Sequence, residues 1–570
     1  MTNVAIIPAA GRGQRMLSMT NNCPKSMLPV GNKPLIAHHL DKLIKYGIKD
    51  VYIVVGYKKE VLINYVETIY KDKINFHFVE QKELLGLAHA LKVTVDEIKQ
   101  DYDGLLIMLG DILVEDESVL SLIQENVSFI GYKPVNDYSR WCLVNLNEQD
   151  NVIGFLDKPD EEPDSKNAVI GIYYYNNLDT FKKSLKDVID EDIRIKNEYQ
   201  ISSVMEKYIQ KYQKDIKGVK FESWFDFGEI ETYNESKKYF NAARHFNSVK
   251  YIDDNIVKSS SNYNKLQREI LWYLTIPHKL NKYVPRILDY SLLDTEVFYE
   301  LECVNGTSLQ ELYLYNYLSC EDWEKIFGLI DKIFVDFNKL SKSHISNLGN
   351  FLSKTYKDRM DQLAMKCDTV LYNIIANDND EIIINGKKYL TLNSYKLDNF
   401  IQRTLDRLDR NNRNYSQIIH GDMVFSNILY DIGSNQLKLV DPRGDFNGDI
   451  IYGDYRYDLA KLYQCIVGRY DYIKNDLFTI KEDLHSVSLY KEFEYTFYNF
   501  NEDCDITYLL VHLIEKYNCS LKEIIFITAL QFLTMISLHS DNLSHQKMMY
   551  IKFIELMNKA YELYNEQKEV

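Results

Sequence analysis

Two stretches of this chain carry side chains of the type and spacing that handle phosphate groups. The first runs Pro8-Ala9-Ala10-Gly11-Arg12-Gly13-Gln14-Arg15 and continues through Pro24-Lys25 to Val30. Glycines at 11 and 13 let backbone N–H groups approach a triphosphate closely, and Arg15 and Lys25 add charge-assisted hydrogen bonds. A short glycine-rich turn alone would suit an ordinary loop as well. The second stretch places His420-Gly421-Asp422 before Asn427, with an apolar run that ends at Asp441. Asp422 there would orient and deprotonate an acceptor hydroxyl, while Asn427 and Asp441 would hold Mg²⁺ on the phosphates of ATP.

Such side chains need a scaffold that aims them. Residues 4–8, 51–55, 76–79 and 105–109 read as strands, and residues 35–46, 60–70 and 88–98 as helices between them. Strand–helix alternation with doubly apolar strands predicts an α/β domain with a mostly parallel sheet. Residues 129–175 read as shorter strands that cover it. The pattern breaks near residues 241–248. A strand pair follows at 249–252 and 255–258, turning at Asp253-Asp254, then a helix at 264–274 and a strand at 298–304. Beyond residue 309 the chain reads as mostly helical, apart from short strands around 418–441. The expected domains are therefore 1–242 and 243–570, the latter with a small lobe at about 245–305 and a helical lobe at about 306–570.

The string from Ile6 to Pro34 resembles the sugar-phosphate nucleotidyltransferase (pyrophosphorylase) family, whose signature is a glycine-rich turn, an arginine and P-K-x-x-L-P-V. The resemblance implies a Rossmann-like fold and the roles that follow. Ala10, Gly11 and Gly13 would cradle the nucleotide, with Arg15 and Lys25 as catalytic cations. Gln81 and the backbone near Gly86 would pair with a pyrimidine edge. Asp111, at the C-terminal end of an apolar strand, and Asp226, in Trp224-Phe225-Asp226-Phe227-Gly228, would jointly hold Mg²⁺. In the acceptor pocket Lys158 would bind the phosphate, with Asp157 and Gly171 beside it. Sugar-specific relatives carry E-K-P where this chain has Asp157-Lys158-Pro159, so the shorter Asp157 leaves the acceptor open.

The downstream motif resembles the aminoglycoside phosphotransferase and choline kinase superfamily, which implies a protein-kinase-like α+β bilobal fold. Lys258 and Glu269 would then form the ion pair that orients the ATP phosphates, residues 298–304 the hinge, and Asp458 a structural support of the catalytic loop. Asp441-Pro442-Arg443-Gly444 departs from the choline kinases, and Arg443 would be unwelcome beside a quaternary ammonium.

A kinase makes a phosphate monoester and a nucleotidyltransferase consumes one. The leading expectation is a bifunctional enzyme. It phosphorylates a small alcohol, foremost a sugar, with ATP and couples the sugar phosphate to an NTP (CTP, UTP or dTTP). The product would be a donor for surface polysaccharide. The alternative is the same pair of reactions on choline or ethanolamine. A third reading makes one domain a non-catalytic regulatory module, against which Asp111, Asp226, Asp422, Asn427 and Asp441 all speak.

Bulk properties narrow the partners. At 570 residues several cores are expected, and 46% hydrophobic with 26% charged residues is ordinary for a globular protein. A net charge of −16 argues against a nucleic-acid partner. The eight cysteines form no C-x-x-C pair, which predicts neither a zinc site nor a disulfide framework and suggests a reducing, cytoplasmic setting. No signal sequence or membrane span is read, and a homo-oligomer is left open. The 45 tyrosines are put down to codon bias.

Overall fold

The computed structural model describes residues 2–21, 23–31, 33–116, 118–242, 248–252, 255–260, 262–293, 296–304, 306–341, 347–369, 371–372, 375, 380–410, 415–483, 492–498 and 504–566. The Asp253-Asp254 turn lies outside them. The chain divides into two compact units, Met1–Arg244 and His245–Val570.

In the upstream unit, strands β1 (Asn3–Pro8), β2 (Asp50–Val55), β3 (Asn75–Glu80) and β4 (Gly104–Met108) run parallel in the order β3-β2-β1-β4. Helices α1 (Leu35–Lys45), α2 (Lys59–Tyr70) and α3 (Leu87–Glu97) connect them. Residues 4–7 and 105–108 are almost wholly buried because helices cover both faces, which is why these strands read as unbroken apolar runs. Parallel strands bring the segments after Pro8 and after Met108 to one sheet edge, and the Gly110 N–H donates to the Pro8 carbonyl at 3.1 Å.

Next come β5 (Ile112–Val114), β6 (Phe129–Pro134), β7 (Cys142–Leu146), β8 (Val152–Asp157) and β9 (Asn167–Tyr175). β9 runs antiparallel to β4, β6 and β7, and β8 antiparallel to β7. The sheet is thus mixed, where a mostly parallel one was expected. The apolar run of β4 carries no trace of its partner's direction, since a buried strand needs apolar residues beside either kind of neighbour. Helices α4 (Leu178–Asp190), α5 (Ile201–Gln210) and α6 (Ile230–Ala242) complete the unit. Strand β10 (Lys217–Lys220) adds to β6, and β11 (Trp224–Asp226) pairs antiparallel with β5.

The downstream unit begins with an antiparallel sheet of β12 (Ser248–Ile252), β13 (Asn255–Ser259), β14 (Ile287–Leu293) and β15 (Glu296–Glu302), in the order β12-β13-β15-β14. Between β13 and β14 lies α7 (Tyr263–Thr275), where the Asn262 side chain caps the Lys265 N–H. Its inward face is Leu266, Glu269, Ile270, Trp272 and Tyr273. A carboxylate in an apolar stripe needs a partner, and Glu269 has one.

The rest is mainly helical, with α8 (Cys320–Leu340), α9 (Leu348–Lys366), α10 (Tyr395–Arg410), α11 (Tyr455–Ile466), α12 (Thr507–Lys516), α13 (Leu521–Met535) and α14 (Leu543–Glu566). Short strands carry the motif loops: β18 (Ser416–Ile418), β19 (Ile428–Asp431), β20 (Gln436–Leu439) and β21 (Tyr452–Asp454). Two sequence readings need correction, the strand content of the helical lobe and the cysteines, and one apolar helix needs placing. A second four-stranded sheet joins β16 (Glu381–Ile384), β17 (Lys387–Leu390), β22 (Phe478–Asp483) and β23 (Glu492–Phe497), formed by two hairpins far apart in sequence. The window Leu521–Leu538 is apolar and long enough to cross a membrane, yet 72% of it is buried, packed on α14 and α11 as a core helix. Finally, Cys320 and Cys504 are joined as a disulfide across 184 residues, because α8 packs on α12. Spacing along the chain says nothing about such a contact.

Candidate active sites

The upstream cleft, about 560 Å³, is lined by Gly11, Gly13, Arg15, Lys25, Asp111, Arg140, Trp141, Asp157, Lys158, Gly171, Trp224 and Asp226, among others. Asp111 directly precedes β5 and Asp226 ends β11. Those strands pair with Asp226 opposite Ile112, and the Phe227 N–H donates to the Asp111 carbonyl at 3.0 Å. Lys25 reaches Asp111 at 2.6 Å, and the Thr232 hydroxyl donates to Asp226 at 2.9 Å. Burial, and then the Asp111 charge, push the Asp226 carboxyl above its ordinary range. A buried carboxylate raised by a second one beside it fits an oxygen-seeking cation such as Mg²⁺. Among the described residues no group of three acidic, histidine or cysteine side chains converges, so phosphate oxygens and water would have to complete its shell.

Gly13 adopts φ +68° and packs on Lys25, where an added Cβ would lie 3.1 Å from the lysine stem. The Ala10 carbonyl accepts the Tyr57 N–H at 3.2 Å, which fixes the turn's first residue. Arg15 is not aimed at the aspartates: it bonds Glu229 at 3.0 Å, and the other Glu229 oxygen holds Arg140 at 3.0 Å. Arg140 in turn lies 5.3 Å from the centroid of Trp141, whose ring meets Trp224 edge-on at 4.9 Å. The Lys158 N–H donates to the Trp141 carbonyl at 2.9 Å, and Asp157 is opposite Cys142 in the β7–β8 hairpin. Gly171, at φ +86°, leaves room for Leu109, whose Cδ1 would be 2.7 Å from an added Cβ. The Gln81 amide donates to the Gly86 carbonyl at 3.4 Å, and Leu87 lines the cleft.

In the downstream unit two clusters form. Lys258 bonds Glu269 at 2.8 Å and Asp441 at 2.9 Å, and the Tyr299 hydroxyl donates to Glu269 at 3.1 Å. Burial alone would depress the Lys258 ammonium, but Asp441 and Glu269 outweigh it and hold it above its ordinary range. Lys265 stands farther from Glu269, at 3.8 Å. In the second cluster Asp422 accepts from Lys461 at 3.1 Å and from the Asn427 amide at 3.2 Å. Burial works against its ionisation, yet Lys461 keeps its carboxyl below the usual range.

Backbone hydrogen bonds bind the clusters together: the Val440 N–H donates to the Asn427 carbonyl at 3.0 Å, and the Arg443 N–H to the His420 carbonyl at 3.0 Å. Asp441 itself sits at φ +57°, an unusual backbone held by its surroundings. Asp458 accepts the N–H groups of His420 and Gly421 at 2.9 and 2.8 Å, supporting the loop from beneath. The two carboxylates therefore lie on adjoining loops. Sequence reasoning missed Glu229, Thr232, Arg140 and Lys461. Only Lys461 left a signal, three residues beyond Asp458 and so on the same helical face.

Residues 4–242 match a family model described as nucleotidyl transferase. "Bifunctional protein GlmU" of Methanococcus aeolicus is 29% identical over 232 residues, which cover 40% of this chain and 51% of that protein. "UTP--glucose-1-phosphate uridylyltransferase AglF" of Haloferax volcanii is 28% identical over 247 residues, 41% of this chain and 95% of that one. "D-glycero-alpha-D-manno-heptose 1-phosphate guanylyltransferase" of Campylobacter jejuni is 33% identical over 157 residues, 27% of this chain and 68% of that one. Through its upstream unit the chain belongs to the nucleotidyl transferase family. It spans about half the length of the GlmU proteins it matches.

Proposed function

We propose that this chain is a two-site transferase that makes a nucleotide-activated donor. The upstream unit transfers a nucleotidyl group from a pyrimidine NTP (CTP, UTP or dTTP) to a phosphate monoester, releasing pyrophosphate. The downstream unit makes that monoester from ATP and a small alcohol, foremost a sugar, in the cytoplasm where both nucleotides are supplied. The observation that carries the reading is the cleft in which Gly13, Arg15 and Lys25 share a rim with Asp111 and Asp226. Two of the relatives bear names for transfer of a nucleotidyl group to a sugar 1-phosphate, and we carry that reaction class to this chain. One of those names specifies a guanylyl group, so the pyrimidine preference rests on Gln81.

The upstream reaction brings two anions together, and both reactions build negative charge on phosphate oxygens. Mg²⁺ held by Asp111 and Asp226 upstream, and by Asn427 and Asp441 downstream, would offset charge on the phosphates. Upstream, Arg15 and Lys25 neutralise the triphosphate and the departing pyrophosphate, and Lys158 holds the acceptor's phosphate for in-line attack on the α-phosphorus. Downstream, Glu269 steadies Lys258 for the ATP phosphates and Asp422 takes the hydroxyl proton. Neither step needs a covalent enzyme intermediate. Fusion raises the local concentration of the intermediate at the second site, and the product suits surface polysaccharide assembly.

The Trp141–Trp224 pair favours the choline or ethanolamine alternative, since indole faces attract quaternary ammonium. Arg140 already lies over Trp141, however, which leaves that face occupied by a cation. The test is a full-length protein given ATP, each NTP and a panel of alcohols, with pyrophosphate release as readout. Asp422→Asn should stop turnover from the free alcohol and spare turnover from its phosphate; Asp111→Asn should let the phosphate accumulate. Phosphorylation that survives Asp422→Asn would sink the downstream assignment.

A further inference from the structure

Around Asp422 there is more positive charge than phosphoryl transfer requires. Lys461 is occupied by Asp422 itself. Arg443 is not, and it sits against the same loop: a Cβ added to Gly421 would lie 2.8 Å from the Arg443 Cβ. Its guanidinium lies 4.9, 5.6 and 5.7 Å from the centroids of Phe351, Phe446 and Tyr457. Tyr457 also has Lys461 5.8 Å from its ring centroid, so one ring connects Arg443 to the partner of Asp422.

A guanidinium carries five N–H donors. Arg443 spends one at Nε on the Asp445 carbonyl (3.1 Å) and one at Nη1 on the Tyr457 hydroxyl (3.3 Å). Arg359, on α9 with Phe351, spends one on Gln362 at 2.7 Å. Among the described residues neither arginine forms an ion pair. Burial and the nearby Arg443 charge push Arg359 below the ordinary arginine range, only partly offset by Asp358. Two half-buried forks with unspent donors, near enough for one charge to act on the other, suit a planar oxyanion.

We propose that the alcohol phosphorylated at Asp422 is a hydroxy acid of the sugar-acid class, its carboxylate gripped by Arg443 and Arg359. This rests on the phosphotransferase reading above. The acceptor hydroxyl oxygen forms a bond to the γ-phosphorus as the β–γ bridging bond breaks; the hydroxyl proton passes to Asp422, ADP leaves, and the carboxylate is unchanged.

The test measures ADP formation by the full-length protein with D-glucuronate against D-glucose and D-galacturonate against D-galactose, with D-glucose 6-phosphate as a phosphate-bearing control. The acids should be preferred by about tenfold or more in kcat/KM. Arg443→Gln and Arg359→Gln should each erase most of that preference through KM, with Arg443→Lys keeping part of it. Melting curves confirm that the Arg359 variant folds. Neutral sugars turned over as well as the acids, or a preference that survives both glutamines, overturn the proposal alone. Preference for the sugar phosphate overturns the carboxylate in particular. ADP formation that no acceptor stimulates, or that Asp422→Asn leaves intact, sinks the phosphotransferase reading and this proposal with it.

Discussion

Replacing Lys258 with methionine is the sharpest probe of the downstream unit. Lys258 is 6% exposed and Glu269 is 2% exposed, and they meet at 2.8 Å. Methionine matches the lysine stem in volume but leaves the Glu269 carboxylate buried with the Tyr299 hydroxyl as its near donor. Removing one partner of a buried pair costs about 3–5 kcal/mol. Asp441 is 43% exposed, so water screens most of its share and the loss falls on Glu269. For a unit of this size that corresponds to a fall in Tm on the order of 10 °C. Differential scanning calorimetry of the full-length protein reads it, and ATP-dependent turnover should vanish in the same variant. That cost comes from an orphaned charge and not from lost packing. Lys258→Met combined with Glu269→Leu should therefore recover most of the lost stability but none of the activity. A single variant that melts within about 2 °C of the wild type would refute the buried-pair argument, as would a double variant no more stable than the single one.

Further outcomes follow from the same contacts. Asp226→Asn should end pyrophosphate release yet raise Tm. Because burial and Asp111 raise its carboxyl above the ordinary 3.8, the folded state holds that proton more readily than the unfolded one, and wild-type stability falls as pH rises through that range. Calorimetry across acidic pH should find this slope reduced in the variant. Asp458, raised by burial to about 7 from 3.8, should add a second fall in stability between those values, lost in Asp458→Asn and visible in denaturant titrations at stepped pH. Gly86→Ala must fit a side chain at φ +104°, 2.6 Å from the Tyr199 carbonyl. It should cost about 1–3 kcal/mol and weaken NTP binding in calorimetric titration. Asp422→Asn should lower ATP-dependent turnover by roughly 10²–10⁴-fold, read as ADP formed.

What could be read in the sequence was local. Gly11, Gly13, Arg15 and Lys25 lie within one turn and its continuation, and Asp422 and Asn427 within one loop, so their spacing is nearly their geometry. The strands at 4–8 and 105–109 declared themselves because burial on both faces leaves only apolar residues. Resemblance supplied the aspartates, and helical spacing could have supplied Lys461 from Asp458. No pattern along the chain could have supplied Glu229, which clamps Arg15 from 214 residues away.

Composition, punctuation and short-range motifs thus determined the glycine-rich turn of the upstream unit, its parallel core strands, and the one loop that carries Asp422 and Asn427. Tertiary structure decided the rest. The meeting of Lys258 with Asp441 spans 183 residues, and the Cys320–Cys504 link spans 184. The antiparallel half of the upstream sheet and the packing of Arg443 against the Asp422 loop were likewise settled by the tertiary fold. The reason is physical: side-chain chemistry is written residue by residue, but which charges share a dry pocket depends on how buried apolar surfaces close, and many sequences of the same local pattern could close otherwise.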